Sequence, residues 1–413
     1  MAEILFLAHR IPYPPTKGEK IRAYHLLSHL ARAHVVHLAC FVDDPSDWQH
    51  ADHLRTLCGE CYFAALPRAR AWRRALGALA RNQPLSVAIL RDAALAGWIG
   101  DLVQRRPIEC VFAYSSAMAQ FLPRVPTRRL QRIVDFVDVD SEKWRQMASR
   151  HRWPLSWLYR REGLRLVAFD RDAAGWCDHC LFVSPAEARL FQELVPAARG
   201  KALVLPNGVD GTHFSPELRF PCPFGQGGPV VAFTGDMSYW PNEDAALWFA
   251  QEVLPRVRSD YPDLRFVAVG RSPGRRLRRS AARLGITLTG AVSDVRPFLA
   301  HAALVVAPLR IARGVPNKVL EAMAMAKAVV TTPAAVTGLR VRPGEDILLA
   351  ADPEDMAGAI ARVLEPRFAG SVGEKARARV VADYAWAPSL RLLDDLVMPA
   401  PARERRLREP VTD

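Results

Sequence analysis

The stretch LVVAPLRIARGVPNKVLEAMAMAKAVVTT, residues 304–332, constrains the fold more than any other part of this chain. Residues 304–307 are an apolar run too short for a helix and read as a buried parallel strand. Residues 308–314 form a loop ending in Gly314. Pro316, with a fixed φ and no N–H, suits a first helical turn. Val319, Leu320, Met323 and Ala324 recur at helical spacing, and 328–331 is a second β-branched run. Strand, glycine loop, helix, strand is one βαβ unit with its loop at the strand's carboxyl end. That commits the region to a parallel α/β sheet.

The same geometry suits an anion. A helix N-terminus presents unpaired backbone N–H groups and a partial positive charge. Gly314 lets the backbone approach a ligand, Asn317 is a further donor-binding candidate, and Arg313 and Lys318 add full charges. Glu321 lies three residues beyond Lys318. A carboxylate repels phosphate, so its place beside a phosphate site makes sense as an acceptor from a neighbouring diol. Basic groups for a diphosphate and an acceptor for two hydroxyls describe a nucleotide-sugar site. The competing reading is a solvated Lys318–Glu321 helix pair worth a few tenths of a kcal/mol.

On Gly314, Lys318 and Glu321 the segment resembles the donor-binding segment of retaining glycosyltransferases of family four, which have the two-domain GT-B fold. Their usual pattern carries two glutamates eight positions apart, the second a ribose ligand. Glu321 matches the second, while Arg313 stands where the first would be. A family variant with Gly, then Lys, then Glu fits this chain. The phrase VDFVDVDSEKW, residues 134–144, resembles sugar transferases associated with exosortase-type (PEP-CTERM) exopolysaccharide systems.

The 413 residues are enough for two domains, and half of them are hydrophobic. No apolar run approaches a membrane span. The start of the chain reads as a strand rather than a leader, and the expected location is the cytoplasm. The net charge of +13 calls for an anionic partner such as a phosphate-bearing substrate or anionic lipid, or reflects a GC-rich genome. Seven scattered cysteines include Cys58/Cys61 and Cys177/Cys180, too far apart for paired zinc knuckles. No metal and no resident cofactor are expected.

Residues 4–7 read as the first strand, followed by a Pro/Gly loop over 9–18 and a helix over 19–33. The loop is not G-x-G-x-x-G, so a dinucleotide site there is poorly supported. By the resemblance, Gly18 and Arg22 belong to the acceptor-side loop. The alternative is a tight connection with an exposed arginine. Residues 67–81 carry five arginines and no acid, with Trp72, Leu76 and Leu79 at helical spacing. This is either a basic amphipathic helix for a membrane surface or a core-packed helix with an arginine-covered outside. Nucleic acid is not expected, because the aromatic-interleaved groove for single strands is missing. Asp138, Asp140 and Glu142 follow the strand 133–137, where α/β sheets place ligands. Asp138 is the candidate acceptor-orienting group, and a D-x-D metal site is the rival reading. Residues 144–176 are helical with a break near Pro154, again mixing arginines with Trp153 and Trp157.

Residues 207–228 read as a Pro/Gly-rich linker, containing the NGVD turn at 207–210. Residue 230 opens the second sheet, with Gly235 after the strand. In the resembled family a glycine here approaches the diphosphate and an Arg and a Lys follow. Asp236 and Asn242 hold those places. Lys318 is therefore the first choice to neutralise the diphosphate and Arg271 the second, Arg271 being alternatively one member of a solvated arginine run.

The expected architecture is α/β, two Rossmann-like domains facing across a cleft. The expected bounds are an acceptor-side domain 1–206, a linker 207–228, a nucleotide-sugar domain 229–384, a helix 385–398 crossing back, and a tail 399–413. The expected activity is sugar transfer from a nucleotide-diphosphate sugar to a lipid-linked or saccharide acceptor in surface or exopolysaccharide assembly, retaining and metal-independent. Peripheral contact with the inner face of an anionic membrane accompanies it. The alternatives are a nucleotide-sugar epimerase on the same fold and a non-catalytic membrane-surface protein.

Overall fold

The computed structural model describes residues 1–15, 18–124 and 130–397. Thr16 and Lys17 of the first loop and the expected tail 399–413 lie outside them. The chain divides into two compact units, Met1–Pro206 with Ala387–Asp413, and Asn207–Trp386. The Pro/Gly-rich segment 207–228 groups with the second unit. Arg265 Nη1 donates to the Phe224 carbonyl at 2.9 Å, and the Phe224 ring meets Phe298 at 5.7 Å.

In the first unit, seven strands form one parallel sheet. They are β1 Glu3–Ala8, β2 Val35–Val42, β3 Cys61–Ala65, β4 Ile108–Tyr114, β5 Gln131–Val137, β6 His179–Phe182 and β7 Ala202–Val204. Their order is β3-β2-β1-β4-β5-β6-β7. The continuous apolar runs ILFLA and CVFAY are buried at nearly every position, as strands covered by helices on both faces must be. Strand order reverses between β1 and β4. Such a switch point leaves a crevice outside the strand ends, where this fold class places its ligands.

The second unit repeats the plan with β8 Val230–Thr234, β9 Arg265–Val269, β10 Ile286–Leu288, β11 Leu304–Ala307, β12 Val329–Thr331 and β13 Leu348–Leu349. The order β10-β9-β8-β11-β12-β13 puts the switch point between β8 and β11. Gly235 follows β8 and the 308–316 loop follows β11, so topology alone brings these two loops together.

Local details differ from the sequence reading in two places. Pro316 stands at the N-cap rather than in the first turn of helix Asn317–Ala324, with ψ 108°. Neither Asp140 nor Ser141 caps helix Asp140–Arg150. Val139 holds the cap position without a side-chain bond, and its N–H is taken by the buried Glu187 carboxylate at 2.7 Å. Ser184 does cap helix Pro185–Leu194, accepting from the Glu187 N–H. The break near Pro154 separates helices Asp140–Arg150 and Leu155–Trp176.

Candidate active site

The site in the second unit is assembled from three strand ends. After β8, Gly235 adopts φ 155°, and after β9, Gly270 adopts φ 154°. A Cβ on Gly270 would overlap the Gly235 carbonyl oxygen, so the two backbones touch and only glycine fits. The contact is fixed by Gly235 N–H donating to the Val269 carbonyl (3.0 Å) and Gly270 N–H donating to the Thr289 hydroxyl (3.2 Å). After β11, the Thr331 hydroxyl donates to the Ala307 carbonyl (2.8 Å) and the Thr332 hydroxyl to the Leu309 carbonyl (2.5 Å). These two bonds set the path of the loop into Gly314, which turns at φ 67°. Helix Asn317–Ala324 then starts with its apolar face, Val319, Leu320 and Met323, fully buried.

Lys318 points from this helix into the glycine corner. Its Nζ donates to Asn242 Oδ1 at 2.6 Å and lies 4.5 Å from the Phe233 ring centroid. A Cβ on Gly235 would stand 2.8 Å from Lys318 Nζ and 2.8 Å from Asn242 Nδ2. Asn242 is buried and held in turn by its Nδ2 donating to the Asp236 carbonyl at 2.9 Å. Glu321 is half-buried, and its carboxylate takes no hydrogen bond among the described residues. Burial pushes the Lys318 amine down to about 7, with the nearby Glu321 only partly opposing the shift. Burial pushes Glu321 up to about 7, with Lys318 opposing. The pair therefore sits near its proton-exchange point at neutral pH. An arriving polyanion would restore the ammonium, and hydroxyl donors would restore the carboxylate.

The other residues that the sequence puts forward divide. Asn317 opens the helix and accepts from Asn207 Nδ2 at 3.1 Å, which ties the helix start to the 207–210 turn. Arg271 donates from Nε to Asp236 Oδ2 at 2.9 Å, and Asp236 is the neighbour of Gly235. Asn242 and Gly270 are site members that the sequence does not announce. Asn242 carries one signal, its position where a basic residue is expected. Gly270 carries only its place after a strand.

In the first unit, Arg22 is a correction. Its side chain is 1% exposed and grips the equally buried Asp135 through Nε (2.7 Å) and Nη2 (3.1 Å). It is neither an open acceptor-loop contact nor the exposed arginine of the alternative reading. It fastens helix Gly18–Ala33 to β5 across the sheet centre. Gly18 begins that helix. Asp138 follows Val137, a β-branched residue held at φ 70°, and shares Lys143 with Asp140 (3.9 and 2.5 Å). That ammonium occupies the D-x-D pair, and no group of three His, Cys, Asp or Glu among the described residues is placed to hold a metal. His9, at the end of β1, stacks on Tyr114 with centroids 5.4 Å apart. Burial, reinforced by Arg10, lowers its pKa and favours the neutral ring.

Residues 228–366 match the family described as Glycosyl transferases group 1. Similar solved structures include sucrose-phosphate synthase of Thermosynechococcus elongatus, 18% identical, covering 98% of this chain and 99% of that one with TM-score 0.71. The Anabaena protein HepE in complex with UDP and glucose is 15% identical, with coverage of 96% and 99% and TM-score 0.67. WaaG, described as a glycosyltransferase involved in lipopolysaccharide biosynthesis, is 15% identical, with coverage of 95% and 99% and TM-score 0.67. No curated protein matches. The fold is GT-B, two parallel-sheet α/β units. The chain carries a group 1 domain in its second unit and is a glycosyltransferase.

Proposed function

We propose that the protein transfers a sugar from a nucleotide-diphosphate sugar to a lipid-linked or saccharide acceptor in surface polysaccharide assembly, with retention of configuration and without a metal. The observation that carries the donor assignment is the Lys318 amine, brought against Gly235 and Asn242 at a strand switch point with the unbonded Glu321 carboxylate on the same helix. The diphosphate would lie over Gly235, taking the Lys318 ammonium and the N–H groups at the start of helix Asn317–Ala324. Glu321 would accept from the ribose hydroxyls. HepE, whose structure holds UDP and glucose, supports a donor of this chemical class. The likeness of the 134–144 phrase to exosortase-associated transferases supports the pathway.

Catalysis in this reading is placement and charge stabilisation. As the glycosidic C–O bond breaks, negative charge builds on the leaving diphosphate. A positioned ammonium in a half-buried site stabilises that charge more than water does. Lys318 and the helix N-terminus so take the part a metal plays elsewhere. Asp138, at the carboxyl end of β5, is the acceptor-side candidate. A thermal-shift panel of nucleoside diphosphates, with chelator and then with magnesium, tests the reading. Stabilisation by one diphosphate in chelator, with the shift lost in Lys318→Ala, is expected. No shift for any nucleotide removes the donor site, and a shift that requires magnesium removes the metal-independent part.

A further inference from the structure

Three consecutive residues of the second unit, Asn242, Glu243 and Asp244, each hold a different loop. They lie in the first turns of helix Trp240–Trp248, whose next residues, Ala245, Ala246 and Leu247, are buried in the core of the unit. Asn242 accepts from Lys318 and donates to the Asp236 carbonyl in the loop after β8. Glu243 Oε1 accepts from the Leu277 N–H at 3.0 Å. Leu277 lies in the first turn of helix Arg275–Leu284, which follows β9 and has Gly274, without a side chain, at its cap position. A carboxylate there satisfies an N–H that the helix itself leaves open. Asp244 takes Arg310, in the loop after β11, through two bonds: Nε to Oδ2 at 3.0 Å and Nη2 to Oδ1 at 2.5 Å. The Arg310 guanidinium also stands 6.0 Å from the ring centroid of Trp248, on the same helix.

The three strand ends that build the glycine corner are therefore fastened to one stretch of one helix. The Arg310 tie bears most on the β11 loop, where the backbone has little hold of its own. The hydroxyls of Thr331 and Thr332 fix the chain only as far as Leu309. Beyond it, the N–H groups of Ile311, Ala312 and Gly314 donate to no backbone carbonyl among the described residues. The Arg310 side chain is 36% exposed and that of Asp244 12%, so the pair adds little to global stability. What it does fix is direction, because a planar guanidinium bonded twice to one carboxylate admits few orientations.

We infer that Glu243 and Asp244 are positioning residues for donor binding. Glu243 acts through the loop after β9, which carries Gly270, and Asp244 acts through Arg310 on the loop that carries Gly314. The inference rests on the donor reading above and adds a device that assembles the corner before the diphosphate arrives. A loop that keeps the binding path for only a fraction of the time weakens apparent affinity by that fraction. Charge by itself works the other way for Asp244. Removing an acid and freeing the Arg310 cation would strengthen the binding of an anion if the path of the loop did not matter.

Calorimetric titration with inorganic diphosphate separates the two effects. Asp244→Ala should weaken binding about threefold to fivefold, the range of a partly exposed ion pair, with the urea unfolding midpoint unchanged. Arg310→Gln should weaken it too, and the double variant should bind no worse than Arg310→Gln alone, because both remove one tie. Glu243→Ala should also weaken binding. Glu345→Gln, which opens the exposed Arg342–Glu345 pair of the same unit, is the control for charge and should change nothing. Unchanged or tighter binding by Asp244→Ala or Glu243→Ala, with the wild type still binding, overturns the role of that residue and leaves the donor site standing. An equal loss from Glu345→Gln overturns the inference, as does a loss in Asp244→Ala that comes with a lowered midpoint, which would make the pair scaffold. A wild-type protein that does not bind diphosphate removes the donor reading, and this inference falls with it.

Discussion

Donor binding should weaken with rising pH above neutrality, through Lys318. The amine is pushed down to about 7 by burial, so above that pH most molecules hold it neutral. A diphosphate needs the ammonium. Its own phosphate oxygens titrate near 6 and are ionised throughout the alkaline range. The affinity should therefore fall with a slope approaching one proton per pH unit. From pH 7 to pH 9 the loss is about 50-fold, or about 2.3 kcal/mol. Calorimetric titration of the nucleoside diphosphate found by the thermal-shift panel, in buffers of different ionisation enthalpy, reads both the slope and the proton taken up. Lys318→Arg, charged at every pH in the range, should bind with a flat profile if its longer fork is accommodated. A flat wild-type profile between pH 7 and pH 9 would refute the reasoning, as would an equally steep Lys318→Met variant.

The same pair should shape the stability of the ligand-free protein. Between pH 4.5 and about 7 the folded state keeps a proton on Glu321 that the unfolded chain releases, so stability falls as pH rises. Between about 7 and 10.5 the unfolded chain holds a proton on Lys318 that the folded state has lost, so stability rises. The pair's contribution is thus least favourable near neutrality, and chemical denaturation against pH should lose that dip in a Lys318→Met, Glu321→Gln double variant. Glu321→Ala should cut nucleoside diphosphate affinity roughly 10- to 100-fold, the worth of hydrogen bonds to a charged group. The measurement belongs near pH 7, where the Lys318 ammonium and the Glu321 carboxylate are both within reach. Inorganic diphosphate, which has no ribose, should bind the variant as before, and an equal loss for both ligands would deny Glu321 its ribose role. Arg22→Ala should destabilise the first unit by about 3–5 kcal/mol by stranding the buried Asp135. Urea unfolding should show most of this recovered in Arg22→Met, Asp135→Leu, and a cost of the single variant under about 1 kcal/mol would contradict the buried pair.

Strands are legible in this sequence because burial on both faces writes them as short unbroken apolar runs, as in ILFLA and LVVA, which patterning alone finds. Helix caps are less so. Asp140 and Ser141 have the right chemistry for an N-cap, but Val139 takes the cap position, its N–H held by Glu187, distant in sequence. Arg22 shows the same limit. Nothing near it in sequence says that Asp135 lies against it, so an arginine after a glycine loop reads as a ligand group when tertiary packing has made it a strut. In the arginine helix the spacing of Trp72 and Leu76 gives an apolar stripe. Only the structure says which way that stripe faces.

Lys318 shows why the donor site is partly readable. A strand end after β8 that carries Asp236 and Asn242 in place of cations leaves a glycine corner without a cation from its own strand end. Parallel sheets offer one remedy. Across the switch point the next loop comes from β11, and a side chain one position into its helix can reach the same corner. Lys318 does so, and Asn242 accepts its proton donor at 2.6 Å instead of competing with it. The consequence is directional. A cation supplied from the ribose-side helix ties diphosphate binding to Glu321, because burial drives the two midpoints to about the same pH. Binding either half of the donor should then ready the helix for the other. Diphosphate holds the ammonium, the ammonium favours the carboxylate, and the carboxylate is the form that accepts from ribose. A nucleoside and free diphosphate added together should consequently bind more tightly than each alone, by an amount that vanishes in Glu321→Gln. Strict independence in the native protein would show that the two groups share a helix and nothing more.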